Sequence, residues 1–231
     1  MTIMATTTEA ALYRLLSWLS PAYPLGSFSY SHGLEYAVEA GLVQDAASLQ
    51  RFVATVLRAG AGRSDAALLV AAYRAAAEDD ARGLDSVAAL AAAWRGTTET
   101  ALESQAQGAA FLAVTRTAWP HAALDALAAR HEKAALPIAV AVAAAAQDVP
   151  VEPLLAAYLH GLAANLVSAG MRLVPLGQSD GQRVIAALET CVAAAARAAF
   201  ATPLEAVGTA APLIERCSMR HETQYTRLFR S

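Results

Sequence analysis

Between Val151 and Val174 the apolar residues Val151, Leu154, Leu155, Tyr158, Leu159, Leu162, Leu166, Ala169 and Leu173 recur mostly every three or four positions. That spacing is one face of an α-helix, and it predicts a central helix over 151–174. Turn residues cut the rest of the chain into further helix-length pieces at 8–19, 31–40, 46–61, 65–80, 85–95, 98–118, 121–132, 137–147, 179–201 and 211–222. Asp45, Ser64 and Thr98 stand where a side-chain oxygen would cap a helix start, and Gly41, Gly96 and Pro203 stand at expected ends. No stretch alternates apolar and polar residues for long enough to demand a sheet, and no repeat or linker divides the chain. The expected fold is all-α: a single compact bundle of about ten helices over 1–231, with 1–7 and about 222–231 as mobile tails.

Composition agrees with the pattern. Alanine fills 60 of the 231 positions, and it enters a helix at the lowest cost because it has no rotamers to lose. The net charge is −3, carried against 16 arginines and one lysine with no basic stripe, so a nucleic-acid backbone is not an expected partner. That lysine, Lys133, lies in RHEKAALP, outside any glycine-rich phosphate loop, which excludes nucleotide binding by a P-loop. The longest apolar run, 134–146, contains a proline and is too short to span a bilayer. The start of the chain lacks a cationic export signal, and two cysteines, Cys191 and Cys217, fit a reducing compartment. The expected location is cytoplasmic.

Three patterns invite chemistry. GQSDG at 177–181 matches the nucleophile-elbow pattern with Ser179 at its centre, which would allow a small serine hydrolase using Ser179 and His221. The elbow needs a strand before the serine, whereas RLVPL here ends a long helix; a polar turn with Ser179 or Asp180 capping the next helix is the plainer reading. Cys217 and His221 share a helix face, which would allow a thiolate–imidazole pair or half a metal site, yet a stable metal site needs three or four converging ligands. Glu35 and Glu39 also share a face, suited to acid–base work, to a solvated surface or to a partner contact.

Two stretches stand apart from the alanine-rich background. In PAYPLGSFSYSHGLEYAVEAG, at 21–41, Pro21 and Pro24 restrain the backbone and Gly26 releases it, amid Tyr23, Phe28, Tyr30 and Tyr36. Such a rigid aromatic loop serves either internal packing or an interface. At the other end, MRHETQYTRLFRS interleaves Arg220, Arg227 and Arg230 with Tyr225, Leu228 and Phe229, the composition of a binding anchor that orders on a partner.

These two stretches, together with SAGMRLVPLGQSDGQ at 168–182, closely resemble the signatures of the UreF family of urease accessory proteins, in family order and across nearly the whole chain. A looser likeness falls at Ser104, Gln107 and Gly108. The resemblance implies a non-catalytic, all-helical homodimer without a cofactor or metal of its own. It would hold UreD (UreH in some organisms), present a composite surface to the GTPase UreG and join both to apo-urease, coupling GTP hydrolysis to nickel insertion; the alternative beside it is a direct nickel carrier using Cys217 and His221. Pro24, Gly26, Ser29, Ser31, Gly33, Leu34 and Glu35 match the first motif, with Ser27 where relatives commonly carry another glycine. Arg172, Pro175, Leu176, Gly177 and Gln178 match the second. His221, Glu222, Gln224, Tyr225, Arg227, Leu228 and Phe229 match the third, a segment that engages UreD in the family. The residues expected to bind partners are Tyr30, Ser31, Glu35, Arg172, Gln178, His221, Glu222, Tyr225, Arg227, Leu228 and Phe229. Those expected to shape the backbone are Pro24, Gly26, Gly33, Leu34, Pro175 and Gly177.

Overall fold

Most of the pieces expected to be helical are helical. A computed structural model describes residues 7–231, and the described residues form eleven α-helices and no strand. They run α1 (Glu9–Trp18), α2 (Leu34–Glu39), α3 (Ala46–Ala59), α4 (Ala61–Ala77), α5 (Ala81–Ala93), α6 (Thr98–Ala118), α7 (Ala122–Arg130), α8 (Leu136–Ala146), α9 (Val151–Leu173), α10 (Gln178–Phe200) and α11 (Pro212–His221). Short 3₁₀ turns lie at Ser27–Ser29 and Leu204–Ala206.

Side-chain caps set several of the starts. The Asp45 carboxylate accepts from the Ser48 amide at 2.7 Å, and Asp80 accepts from the Gly83 amide at 2.9 Å. At α6 the cap is Thr97 rather than Thr98, its hydroxyl accepting from the Thr100 amide at 3.2 Å. Ser64 is no cap at all; it lies inside α4, whose start follows directly from Gly60 at the end of α3. The piece expected at 31–40 shrinks to α2, because His32 and Gly33 sit in the left-handed region with φ of 58° and 76° and cannot belong to a right-handed helix.

The centre of the molecule is apolar and finely packed. From Pro137 to Ala144 every residue of α8 is buried, mostly alanine and valine, and α8 lies on α4 and α6. Small side chains let these axes approach closely. The close fit is explicit at Gly108 of α6, where a Cβ would stand 2.0 Å from the Ala134 carbonyl oxygen. Helix α9 is long and apolar enough to cross a membrane by length and composition; here it lays Leu154, Leu155, Leu159 and Leu166 against α3, α4 and α10. Trp18 closes one end of the core, edge-on to Phe111 and Trp119.

The other end is built differently. There α2, α6 and α11 meet, and beyond α11 the chain doubles back as a non-helical strap, residues 222–231, along the loop before α2. The sequence led us to expect a loose tail at 222–231; the strap is instead held by backbone bonds, Arg230 N–H to the Ser29 carbonyl at 2.7 Å and Ser31 N–H to the Ser231 carbonyl at 2.9 Å. The expected N-terminal tail falls outside the described residues except for Thr7.

Candidate functional site

Gly33 decides how α2 meets α11. A Cβ at Gly33 would lie 2.6 Å from the Ser218 amide nitrogen and 2.9 Å from its Cα, so only glycine lets the two backbones touch here, and its positive φ points to the same residue. That approach carries Glu35, in the first turn of α2, beneath the strap and beside the end of α11.

Glu35 is buried and every bond to it is accounted for. Oε1 accepts the Leu228 amide at 2.6 Å; Oε2 accepts the Phe229 amide at 2.9 Å and faces His221 Nε2 at 3.1 Å. The other nitrogen of His221, Nδ1, faces Glu99 Oε2 at 2.8 Å, and the second oxygen of Glu99 accepts from Arg227 at 2.7 Å. An ionised carboxylate only accepts hydrogen bonds, so a ring that bonds a carboxylate at each nitrogen carries both protons. The wholly buried His221 ring thus bridges Glu35 of α2 and Glu99 of α6, with the strap resting on the same carboxylates.

One turn further along α6 a second cluster repeats the arrangement. Glu103 Oε2 accepts from the Ser231 hydroxyl at 2.9 Å and faces His32 Nδ1 at 3.3 Å. Burial pushes the His32 imidazole down, but the bond to Glu103 and the charges of Glu103 and Asp65 outweigh it, and the ring is raised above its usual range. Asp65 of α4 pairs with Arg95 at 2.8 Å and accepts the Tyr158 hydroxyl at 2.9 Å. Burial first, then the charge of Asp65, holds the Tyr158 phenol well above its usual range and keeps it neutral. A cavity of about 240 Å³ lies beside this cluster, with Trp18, Asp65, Arg95, Glu103 and Tyr158 among its walls.

Arg172, near the end of α9, joins the three sequence motifs. Its guanidinium donates to the Phe28 carbonyl at 2.9 Å and lies 4.5 Å above the ring of Phe229, which is buried. Close by, Arg230 covers Tyr30 at 5.8 Å, and Asn165 donates to the Tyr30 carbonyl at 3.4 Å.

The expected partner-binding residues therefore divide into two groups. Tyr30, Ser31, Glu35, His221 and Phe229 lie inside the monomer, so direct contact with another protein is not their role in this conformation. The reason is the strap, which supplies from within the chain the partner that the sequence suggested would come from outside. Tyr225 is fully exposed, Leu228 is 65% exposed, and Arg172, Glu222 and Arg227 reach the surface. Gln178 is exposed at the start of α10, on a separate element from the clusters. Of the backbone-shaping residues, Gly26 and Gly33 have positive φ and Leu34 is buried; Pro24, Pro175 and Gly177 lie in exposed turns.

The two alternative chemistries lose their footing. Ser179 sits exposed in the first turn of α10 with no strand before it, and both nitrogens of His221 are engaged by carboxylates, so neither a raised nucleophile nor a free base is present. Cys217 is buried, and desolvation pushes its thiol up, away from the thiolate a metal would need. Among the described residues no group of three His, Cys, Asp or Glu side chains is placed to hold a metal ion. Sequence reasoning missed Glu99, Glu103, Asp65, Arg95 and His32. Part of the signal was there: Glu99, Glu103 and Gln107 recur every four residues on α6, a polar stripe that turns out to face inward.

These features define an all-helical protein whose densest polar constellation binds its own C-terminal strap, beneath a surface studded with exposed aromatic and aliphatic side chains. A sequence profile described as UreF matches residues 43–189. Urease accessory protein UreF of Granulibacter bethesdensis is 54% identical over 228 residues, covering 98% of this chain and 97% of that protein. Proteins of the same description are 53% identical over 222 residues in a Bradyrhizobium species (96% and 92% covered) and 51% over 224 residues in Rhodopseudomonas palustris (96% and 93%). The chain belongs to the UreF family.

Proposed function

We propose that this protein is a urease maturation factor that works by holding other proteins: it joins UreD and the GTPase UreG to apo-urease, as a homodimer, and couples GTP hydrolysis in UreG to nickel insertion. The observation that carries the reading is the strap. Glu35 pins two successive amides, so Phe229 points inward while Leu228 points out, and Tyr225 stands fully exposed a few residues before them. Phe28, 67% exposed, belongs to the loop that Arg172 ties to the same strap. Exposed aromatic and aliphatic residues on a rigid base, with Arg220, Arg227 and Arg230 around them, make a suitable anchor for a partner that supplies pockets. No phosphate loop surrounds Lys133, which fits a division of labour in which the nucleotide belongs to UreG.

The test is capture of UreD and UreG from cells expressing a complete urease operon, with the wild-type chain and with a Tyr225→Ala, Leu228→Ala double variant. Both side chains are exposed, so the helical circular dichroism spectrum stays the same. The expected result is recovery of both partners by the wild type and loss of UreD by the variant; absence of UreD and UreG from the wild-type capture overturns the proposal.

A further inference from the structure

We propose that the strap, residues 222–231, is a proton-controlled latch: it is seated while His32 and His221 are both imidazolium and loosens when either ring loses its proton. This goes beyond the maturation role and does not depend on it, since every group involved is in this one chain.

The first argument is hydrogen-bond accounting at His221. On the α2 side its ring faces Glu35, whose remaining capacity is filled by the Leu228 and Phe229 amides; on the α6 side it faces Glu99, which is paired with Arg227 of the strap. Removing one ring proton turns a donor into a lone pair aimed at a buried carboxylate oxygen, and an attraction becomes a repulsion in a poorly screened site. The carboxylate that suffers it is one of the two that carry the strap. On its own helix the buried Cys217 thiol lies one turn back, where desolvation pushes it up and it stays neutral, and Glu215, Arg216 and Arg220 are the charged residues of that helix.

The second argument is charge balance. The two clusters bury four carboxylates, Glu35, Glu99, Glu103 and Asp65. Two guanidiniums face them, Arg227 from the strap and Arg95 from the turn before α6. Two imidazolium rings close the balance, and buried charge is tolerated only when it is paired. The groups around His32 fit this count: Glu103 on α6 and Asp65 on α4 favour its charged form, Arg95 opposes it, and Tyr158 on α9 is neutral. Glu103 meanwhile accepts the Ser231 hydroxyl, so His32 is coupled to the far end of the strap.

The direction with pH follows. For a histidine raised on folding, the stabilisation is complete below the unfolded value, 6.5, and is lost as pH rises through the higher folded value. The latch is therefore firm in acidic solution and loosens as pH rises.

The experiment is hydrogen exchange of the Leu228 and Phe229 amides in the full chain from about pH 6 to about pH 9, corrected for intrinsic exchange, with buried amides of α8 as the internal reference. Expected is a loss of protection at 228 and 229 as pH rises, with α8 unchanged. His221→Gln, neutral at every pH, should show low and pH-independent protection at the same amides, with α8 still protected. Protection at Leu228 and Phe229 that stays flat with pH in the wild type overturns the proposal, whether or not the variant folds. So does a His221→Gln protein that folds with the wild-type protection and profile.

Discussion

The α4–α8–α9 core and the cluster beneath the strap are both buried, yet they are held by opposite means. In the core, alanine, valine and leucine fill space, and no side-chain atom of Leu155 or Val140 has a specified partner. Beneath the strap nearly every polar atom has one, and Glu35 alone is bound by two backbone amides and an imidazole. Non-directional burial tolerates a change of shape if volume is kept. A fully engaged polar cluster tolerates a change of shape or charge poorly, because each displaced partner is left unsatisfied. The difference teaches where specificity lies: the core makes the bundle stable, and the cluster fixes what the C-terminal segment presents to the outside.

The sharpest way to break this comparison is a pair of isosteric changes. Glu35→Gln keeps the volume but removes the charge from a buried pair, with an expected loss of about 3 kcal/mol in denaturant unfolding. Leu155→Met, equally conservative in volume, should cost less than about 1.5 kcal/mol. If the two cost the same, the distinction between the regions fails.

Next in size is Gly33→Ala. The added methyl meets the Ser218 backbone within 3 Å and the residue must hold a positive φ, so a loss of about 2 kcal/mol is expected, from strain of about 1–3 kcal/mol at such positions. It should appear together with faster exchange at Leu228 and Phe229, because the α2–α11 contact sets the place of Glu35. A change in stability with those amides unmoved would separate the contact from the latch.

The smallest effect is expected at the surface of the strap. Tyr225→Ala should alter stability by no more than about 0.5 kcal/mol, since the ring touches nothing within the monomer that is lost on truncation. A larger loss in the purified chain would mean that Tyr225 packs inward in solution and would remove it from the proposed UreD surface.

Much of the fold was legible in the sequence. The α9 stripe, the cap at Asp45 and the alanine-rich helices follow from spacing and propensity, which act over one or two turns of chain. The loop around Gly26 and Gly33 was also recognisable as a place of special backbone geometry. What it was for was not legible. Glu35 and Glu39 looked like one pair on one face; the structure buries the first against Leu228, Phe229 and His221 and leaves the second at the surface with Gln224. The Arg- and Tyr-rich end read as a free anchor because its internal partners, Glu99 and Glu103, lie 128 positions earlier.

The chain by itself thus determined its helices, their apolar faces and most of their ends, because those depend on neighbours within a few residues. Only the tertiary structure decided that Glu35, Glu99 and His221 share one buried site and that the strap lies over it. Hydrogen bonds and ion pairs reach about 3 Å in space but have no fixed reach along the sequence, so the same glutamate is a solvated charge or the seat of a latch according to what the fold carries to its side.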